Sequence, residues 1–471
     1  MCAGARCLLL DVGGQSLRAA LLDRGGAILA MERRDVATHH PRPDWVEHDP
    51  LALLSALKDA IATLLRCERR AAASLQAAGL SCQRASIVCW DRISGEPLSP
   101  LISWQDTRGA AILQAARLDF DAVQARTGMR PSAFLGASKL AWCWRELPAV
   151  RAAAQSGRLG WGPLGSYLLH GLLAERPYLC PASLAQRSML FDPVRHVWDA
   201  ALCAAFGIAS DLLPRPTPDL AEFGELGADL HGVPLRLCGG DQNLLPAALQ
   251  PAADEVVVNL GTGAFLLAGG DATAPRLQRS VLPGRGWPAA LCLEGTVNGA
   301  ASALVWWSQR CGGDAAAPIP DSAANTPHFL DSVGGLGSPL WRSGDMPRFS
   351  LPPTSPAQGR AAIADGIVHL LMLNLQAMRA AGLAGGRLYA GGGLAASDGL
   401  LQRLADLAGV EVWRPRQSEL SLAGAACLLG AAPPALEPAR RFAPGAGATG
   451  MRQRHIAWRA WVHKEIALSL E

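Results

Sequence analysis

Apolar and polar residues alternate along this chain in blocks, and one block occurs twice. LLLDVGGQSLRAALLD at 8–23 and VVVNLGTGAFLLAGG at 256–270 each predict an apolar strand, a tight glycine turn and a second apolar strand. Such a turn strips away side chains, so successive backbone N–H groups can face one concavity, a nest suited to anions and to phosphate above all. A single glycine hairpin is a common turn. Two of them, near the starts of two halves of similar size, predict a duplicated nucleotide-binding fold.

Strands and helices alternate elsewhere too. An extended segment ends in DWVEHDP at 44–50, where Asp49 and Pro50 supply a capping carboxylate and a proline for the first helical position. Apolar residues at helical spacing follow through residue 70. Residues 77–91 predict a strand, a polar turn and a strand, 94–97 a turn, 101–108 a further strand, and 110–200 mostly helix. A proline-rich connector is expected at 214–220, before a strand that breaks at glycines into a helix at 235–249. Beyond the second hairpin, 290–310 predicts strand then helix, 312–360 long surface loops, and 361–382 a helix with a glycine stop. GRLYAGGGLAASDGLLQRLADLAGVEVWRP at 386–415 predicts a right-handed βαβ crossover, its helix capped at Ser397 and stopped at Gly409. The last stretch reads as a basic linker and an amphipathic helix docked on the body or on a second subunit. Glycine turns at strand ends are where open α/β sheets place ligands.

Composition narrows the class. A chain of 471 residues, 50% hydrophobic and 18% charged, fits two to three ordered globular domains. A net charge of +3 gives no case for nucleic acid or membrane partners. Lysine is confined to Lys58, Lys139 and Lys464. The 12 cysteines form no CxxC pair, so reduced thiols are expected, with Cys82, Cys89, Cys143, Cys238 and Cys427 as packing residues. Asp11 interrupts the one early apolar run, which argues against a signal peptide, and no uninterrupted apolar stretch approaches the roughly 18–20 residues of a membrane span. The expected location is the cytoplasm. His39, His40 and His48 lack a metal-like partner set and read as surface or loop residues, while Trp142, Trp144, Trp306 and Trp307 read as core.

Neither GxxxxGK[ST] nor a helix-opening GxGxxG is present, which argues against P-loop and Rossmann folds. Asp11 ends the first strand beside Gly13 and Gly14. A carboxylate near phosphates calls for a cation between them, and Mg²⁺ suits that role. Arg18 offers a second cation for a transferring phosphate. On the residues alone, a turn-capping Asp11 and a solvated Arg18 fit equally well. Asp241, after Gly239 and Gly240 at a strand-to-helix turn, is placed either as a base for a hydroxyl proton or as a simple N-cap.

The motifs together resemble the FGGY carbohydrate kinases and are nearest those of glycerol kinases. They are DVGGQSLRAALLD, DWVEHDP, CQRASIVCWD, ISWQDTR, TGMRPSAFLGASKLAW, AQRSMLF, CGGDQNLLPAAL, NLGTGAFLL, EGTVNGAASALVWW, GGLGSPLW, AGGGLAASDGLLQRLADLAGVEVWRP and LAGAACLLGAA, in the family's order along nearly the whole chain. The resemblance implies two α/β domains of actin-like, ribonuclease H-like type (the hexokinase/Hsp70/actin superfamily) with a central cleft. Residues 1–245 would form the sugar or polyol side and 246–471 the ATP side. It implies ATP and Mg²⁺ as cofactors and a small carbohydrate or polyol as partner, with no nucleic acid or membrane and with a homodimer as an allowed assembly.

It also implies roles for particular residues. Asp241 matches the catalytic base and Asp11 the magnesium-associated aspartate, with Arg18 beside the transferring phosphate. Gly13, Gly14, Gln15 and Ser16 form the first phosphate turn, and Gly261, Thr262 and Gly263 the second. Gly392, Gly393 and Ser397 match the adenosine side, where Ala301 stands in place of a glycine. Arg84, Trp104, Gln242 and Phe265 match substrate-side positions. Three departures stand out: Gly14 replaces a threonine, Ala85 a glutamate and Phe134 a tyrosine. Losing two polar partners from a hydroxyl-reading pocket predicts an acceptor other than glycerol: a larger or less polar polyol, ketose or sugar acid. A catalytically weak or regulatory nucleotide-binding member of the same superfamily is the alternative.

Overall fold

The computed structural model describes residues 7–466 apart from Asp271, Pro288, Ala324, Ser343, Asp345, Ala384 and 434–437. The chain divides into two compact units. Unit 1 comprises Met1–Gln250, Ser280–Ala290 and Leu420–Pro434; unit 2 comprises Pro251–Arg279, Leu291–Glu419 and Ala435–Glu471. Two short segments from the second half of the chain therefore return to unit 1.

Unit 1 is built on a six-stranded sheet of β1 (Cys7–Val12), β2 (Ser16–Leu22), β3 (Ile28–Asp35), β4 (Ala77–Cys82), β5 (Leu220–Glu225) and β6 (Pro234–Gly240), in the order β5-β6-β4-β1-β2-β3. β1, β2 and β3 form an antiparallel meander, and β4 and β6 join β1 in parallel on its other side. β1 is buried at every position, as a central strand covered on both faces must be. Its Cys7 and Leu9 pack with Leu422, Ala425 and Ala426 of the returning helix Leu420–Leu428. The helix Pro50–Cys67 packs on β2 and β3 and starts as its sequence predicts: Asp49 Oδ1 accepts the N–H groups of Leu51 and Ala52.

Unit 2 repeats the plan. Its sheet has the strands β7 (Val256–Leu260), β8 (Ala264–Gly269), β9 (Gln278–Val281, of which Gln278 and Arg279 belong to this unit), β10 (Leu291–Val297), β11 (Leu388–Gly391), β12 (Val412–Pro415) and β13 (Pro438–Phe442), in the order β9-β10-β8-β7-β11-β12-β13. β7, β8 and β10 are antiparallel, and β11 and β12 follow β7 in parallel. Each sheet is thus a hairpin plus a third antiparallel strand, with two parallel strands beyond the first. The core helix Pro356–Ala380 is long and apolar enough to cross a membrane, but it lies buried inside unit 2. The helix Ala448–Ile466 docks on the same core. Met451, His455, Trp458, Val462 and Ile466 form its buried stripe, and Trp458 Nε1 donates to the Phe329 carbonyl at 2.8 Å.

Several expectations need correction. Residues 101–108 hold only a two-residue strand, Leu101–Ile102, because Asp106 takes the N–H groups of Val46 and Arg108 and folds the rest into a loop. The stretch 110–200 interleaves its helices with strands such as Leu159–Pro163 and Leu179–Pro181. The proline-rich 214–220 is not a connector: Arg215–Thr217 pairs with Leu179–Pro181, and Leu220 starts β5. Within 312–360, Phe329–Leu330 pairs with Arg348–Phe349, and both Phe329 and Leu330 are buried core. The presumed basic linker contains the edge strand β13. His48 is buried with Nδ1 2.9 Å from the Ala37 carbonyl, and Cys427 is only partly buried.

His369 and His455 meet inside unit 2 with their Nδ1 atoms 3.2 Å apart. Burial holds both below the ordinary 6.5, His369 well below it and His455 at about 4, and Arg454, Arg459 and His328 add to the effect. The native pair is neutral, so unfolding takes up protons as pH falls from 6.5 toward 4. His455 alone is expected to withdraw about 3 kcal/mol of stability over that window. Calorimetry between pH 4 and 7 should show it, and His455→Leu should flatten the slope; equal slopes would contradict the assignment.

Candidate active site

The parallel register sets the site of unit 1. Asp11 lies opposite Ser81 and Ser81 opposite Gly239; one step on, Val12, Cys82 and Gly240 align. Asp11, Gln83–Arg84 and Asp241 therefore emerge at the carboxyl ends of three adjacent strands. Across the hairpin Asp11 faces Arg18, and the pair forms an ion pair of 2.9 Å. Ser81 Oγ donates to the other Asp11 oxygen at 2.8 Å. Arg18 is thus engaged with Asp11 rather than merely solvated. The Gly13 N–H closes the turn onto the Ser16 carbonyl at 3.0 Å, so that donor is used inside the turn. Ser16 is buried and Gln15 exposed.

Arg84 crosses in front of Gly240 to donate to Gln242 Oε1 (2.8 Å) and Asn243 Oδ1 (3.0 Å). A Cβ on Gly240 would sit 2.7 Å from Arg84 Cγ and Cδ, so this approach requires glycine. The Asp241 carboxylate accepts the adjacent Gln242 N–H at 2.8 Å and makes no capping bond further along the short helix Asp241–Leu244. Burial pushes its carboxyl up to about 6; Asp11 adds to the rise, and Arg84, the Gln242 N–H and Arg187 oppose it. Behind it, Ser183 Oγ accepts the Gly240 N–H at 2.9 Å and donates to Asp219 Oδ1 at 2.5 Å. Asp219 is fully enclosed, and burial pushes it up to about 7.

The other unit 1 candidates cluster around the polar turn after β4. Ala85 takes a left-handed conformation at φ 60°, uncommon for a residue other than glycine. Ser86 Oγ accepts the Trp104 N–H and donates to Gln83 Oε1, both at 2.9 Å. Lys139, on the helix Gly136–Glu146, is fully buried and donates to the carbonyls of Ala85 (3.2 Å), Ser103 (2.7 Å) and Phe134 (2.8 Å). Gly14 joins this group: a Cβ there would lie 3.7 Å from Gln83 Oε1 and 3.9 Å from Trp104 Nε1. Sequence reasoning did not single out Gln83, Lys139, Ser183, Asp219 or Asn243 as site residues. For Lys139 a signal existed: one of only three lysines in an arginine-rich chain sits within an apolar helical run.

In unit 2 the second hairpin turn closes with Gly261 N–H on the Gly263 carbonyl at 2.9 Å. The helix Ala301–Cys311 begins against it: Ala301 N–H bonds the Gly261 carbonyl and Ser302 N–H the Thr262 carbonyl, both at 3.1 Å. Gly392 has φ 89°, and its Cβ would fall 2.6 Å from Asn259 Oδ1 and the Leu260 carbonyl, so only glycine fits. A Cβ on Gly393 would meet nothing within 4 Å. Arg414 braces this turn through the carbonyls of Ala395 and Ala396 and the Asp398 carboxylate. Ser397 Oγ accepts the Leu400 N–H and so caps its helix as expected. Phe265 sits on β8 of unit 2, whereas Arg84, Ala85, Trp104, Phe134 and Gln242 belong to unit 1.

Two units of one sheet plan, with glycine hairpins and an acid at a strand end, define a two-domain α/β protein of the actin-like, ribonuclease H-like type. Models of the FGGY family of carbohydrate kinases match residues 6–245 (N-terminal domain) and 256–432 (C-terminal domain). The chain belongs to that family and is a carbohydrate kinase, a phosphotransferase that uses ATP on a sugar or polyol. The glycerol kinase of Aromatoleum aromaticum is 34% identical over 446 residues, covering 90% of this chain and 89% of that protein. In fold, the chain matches Plasmodium falciparum glycerol kinase with ADP (TM-score 0.82, 20% identity, 98% of each chain). It matches gluconate kinase from Lactobacillus acidophilus comparably (TM-score 0.81, 18% identity, 98% of each chain).

Ser183→Ala would remove the hydroxyl that the Gly240 amide and Asp219 share, while the residue 183 N–H, 3.2 Å from Asp219 Oδ1, stays in place. The variant is expected to lose about 1–3 kcal/mol of stability. Urea unfolding followed by far-UV circular dichroism measures this, and an unchanged midpoint would mean that water replaces the hydroxyl.

Proposed function

We propose that this kinase transfers the γ-phosphoryl group of ATP to a hydroxyl of a small carbohydrate or polyol other than glycerol, with Asp241 as general base. The observation that carries the proposal is the Asp241 carboxylate: at a strand end, without a capping bond, and raised to about 6 by burial. An acid of that pKa is ionised at neutral pH yet basic enough to accept the proton of an attacking hydroxyl. As the acceptor oxygen bonds to phosphorus, the bond to the leaving ADP oxygen breaks and the proton passes to Asp241. Little covalent work remains for the protein, so positioning and charge dominate.

The nucleotide reading rests on the open turns. Gly393 leaves space beside backbone, Gly14 and Gln15 lie in the turn between β1 and β2, and Thr262 and Gly263 lie in the turn between β7 and β8, where Gly263 packs against the Val297 and Asn298 carbonyls. Asp11 has one oxygen on Arg18 and one on Ser81, and no group of three His, Cys, Asp or Glu side chains among the described residues forms a metal cage. Asp11 is the residue that would hold a magnesium ion, through a single carboxylate. When bound, it neutralises phosphate charge. Arg18, held against Asp11, keeps a second positive charge at the same turn. The acceptor reading rests on Ala85 and Phe134, which offer a methyl and a phenyl group where glycerol kinases present an acid and a phenol. Thiols packed in the core, such as those of Cys82, Cys89, Cys143 and Cys238, suit a reducing compartment such as the cytoplasm.

The test is a panel of polyols, pentuloses, hexuloses and sugar acids with ATP and Mg²⁺, followed by ADP release. One acceptor should outperform glycerol, and Asp241→Asn should lower kcat on it by about 10²–10⁴-fold. Micromolar KM for glycerol would overturn the acceptor assignment. Tight ATP binding with no turnover on any acceptor would favour a regulatory role. Gly14 does not occupy the left-handed region, and its Cβ position has ordinary clearance. Gly14→Thr should therefore fold normally and raise kcat, since it adds a hydroxyl at the phosphate turn; unchanged kcat would show that the backbone donors suffice.

A further inference from the structure

We infer that Lys139 is the positioning residue of the acceptor pocket: its ammonium gathers three separate chain segments and thereby sets where Arg84, Ala85, Trp104 and Phe134 stand. This rests on the reading above that those residues face the acceptor. An ammonium has three N–H donors, and all three are used on backbone carbonyls, those of Ala85, Ser103 and Phe134. The carbonyls come from the turn after β4, the loop after Leu101–Ile102 and the segment before the helix that carries Lys139. Each belongs to an acceptor-side residue or its neighbour.

Filling space does not explain a lysine here. Burying a charge is costly, and a methionine of similar length would fill the volume without that cost. What an apolar side chain lacks is three donors on one atom. The conformation of Ala85 points the same way. Its left-handed backbone is disfavoured for alanine and persists where the surroundings over-determine it, and the Lys139 bond to its carbonyl is one such constraint.

The charged groups around Lys139 are few. Asp106 favours its charge and Arg108 opposes it. Arg108 is itself paired with Asp106 and Glu47 and stacked on Trp45 and Trp142, with its guanidinium carbon 3.9 Å and 4.7 Å from their ring centres. Burial prevails and lowers the ammonium to about 7. Raising pH above that value removes one of three donors and frees one of the three carbonyls.

Hydrogen exchange on Lys139→Met, which needs no acceptor, tests the positioning directly. Segments 84–87, 102–105 and 132–136 should lose protection while unit 2 does not change; unchanged protection overturns the inference. With the acceptor found by the panel, Lys139→Met should raise its KM at least tenfold, with nucleotide affinity and kcat changed less than twofold. Wild-type KM for the acceptor should rise threefold or more from pH 6.5 to 9, and in Lys139→Met it should not. A KM insensitive to both substitution and pH overturns the inference. Should Lys139→Met fail to fold, the wild-type KM profile decides. If no acceptor is phosphorylated, the proposed function fails by itself, and hydrogen exchange still decides the role of Lys139.

Discussion

Parallel pairing of β1, β4 and β6 is the constraint on which the rest of unit 1 depends. Side chains on aligned strands repeat in register, so once Asp11, Ser81 and Gly239 lie side by side, the residues that follow must leave the sheet together. That alignment brings a carboxylate, a guanidinium and a second carboxylate to one edge. The β1–β2 hairpin then places Arg18 opposite Asp11. A one-residue slip of β6 would turn Asp241 away and present Gly240 instead, so the register governs the chemistry as much as the fold.

Around this edge, polar groups are supported from behind. Ser183 and Asp219 hold the Gly240 amide, Ser81 holds Asp11, and Gln83 and Ser86 hold the Trp104 amide. In unit 2 the same sheet plan is used with backbone rather than side chains at the strand ends. Gly261, Thr262 and Gly392 bring main-chain groups forward, and Arg414 braces the turn from behind. One plan thus serves two ends: charged side chains in unit 1, bare backbone in unit 2.

What the sequence made legible were features written locally. Both hairpins, the Asp49 and Ser397 caps and the left-handed stop at Gly409 follow from neighbouring residues and stand as expected. The missed features depend on residues far apart in the chain. Lys139 reaches Ala85 across 54 positions, Ser183 reaches Gly240 across 57, and Arg84 reaches Asn243 across 159. Composition misled where glycine, proline or arginine hid short strands: Phe329–Leu330 is core because its side chains pack on the long helix, and β13 pairs despite its arginines. The return of Ser280–Ala290 and Leu420–Pro434 to unit 1 is likewise a product of packing that no local signal marks.

The central claim, that strand register makes Asp241 a base, is tested most directly by the pH dependence of kcat/KM on the best acceptor. The account predicts an acid limb in which activity falls as pH drops through about 6, where Asp241 takes up its proton. It also predicts that the limb moves to higher pH in Arg84→Met, because the guanidinium that opposes the effect of burial is gone. A profile flat from pH 5 to 8, or a limb that stays in place in Arg84→Met, would contradict it.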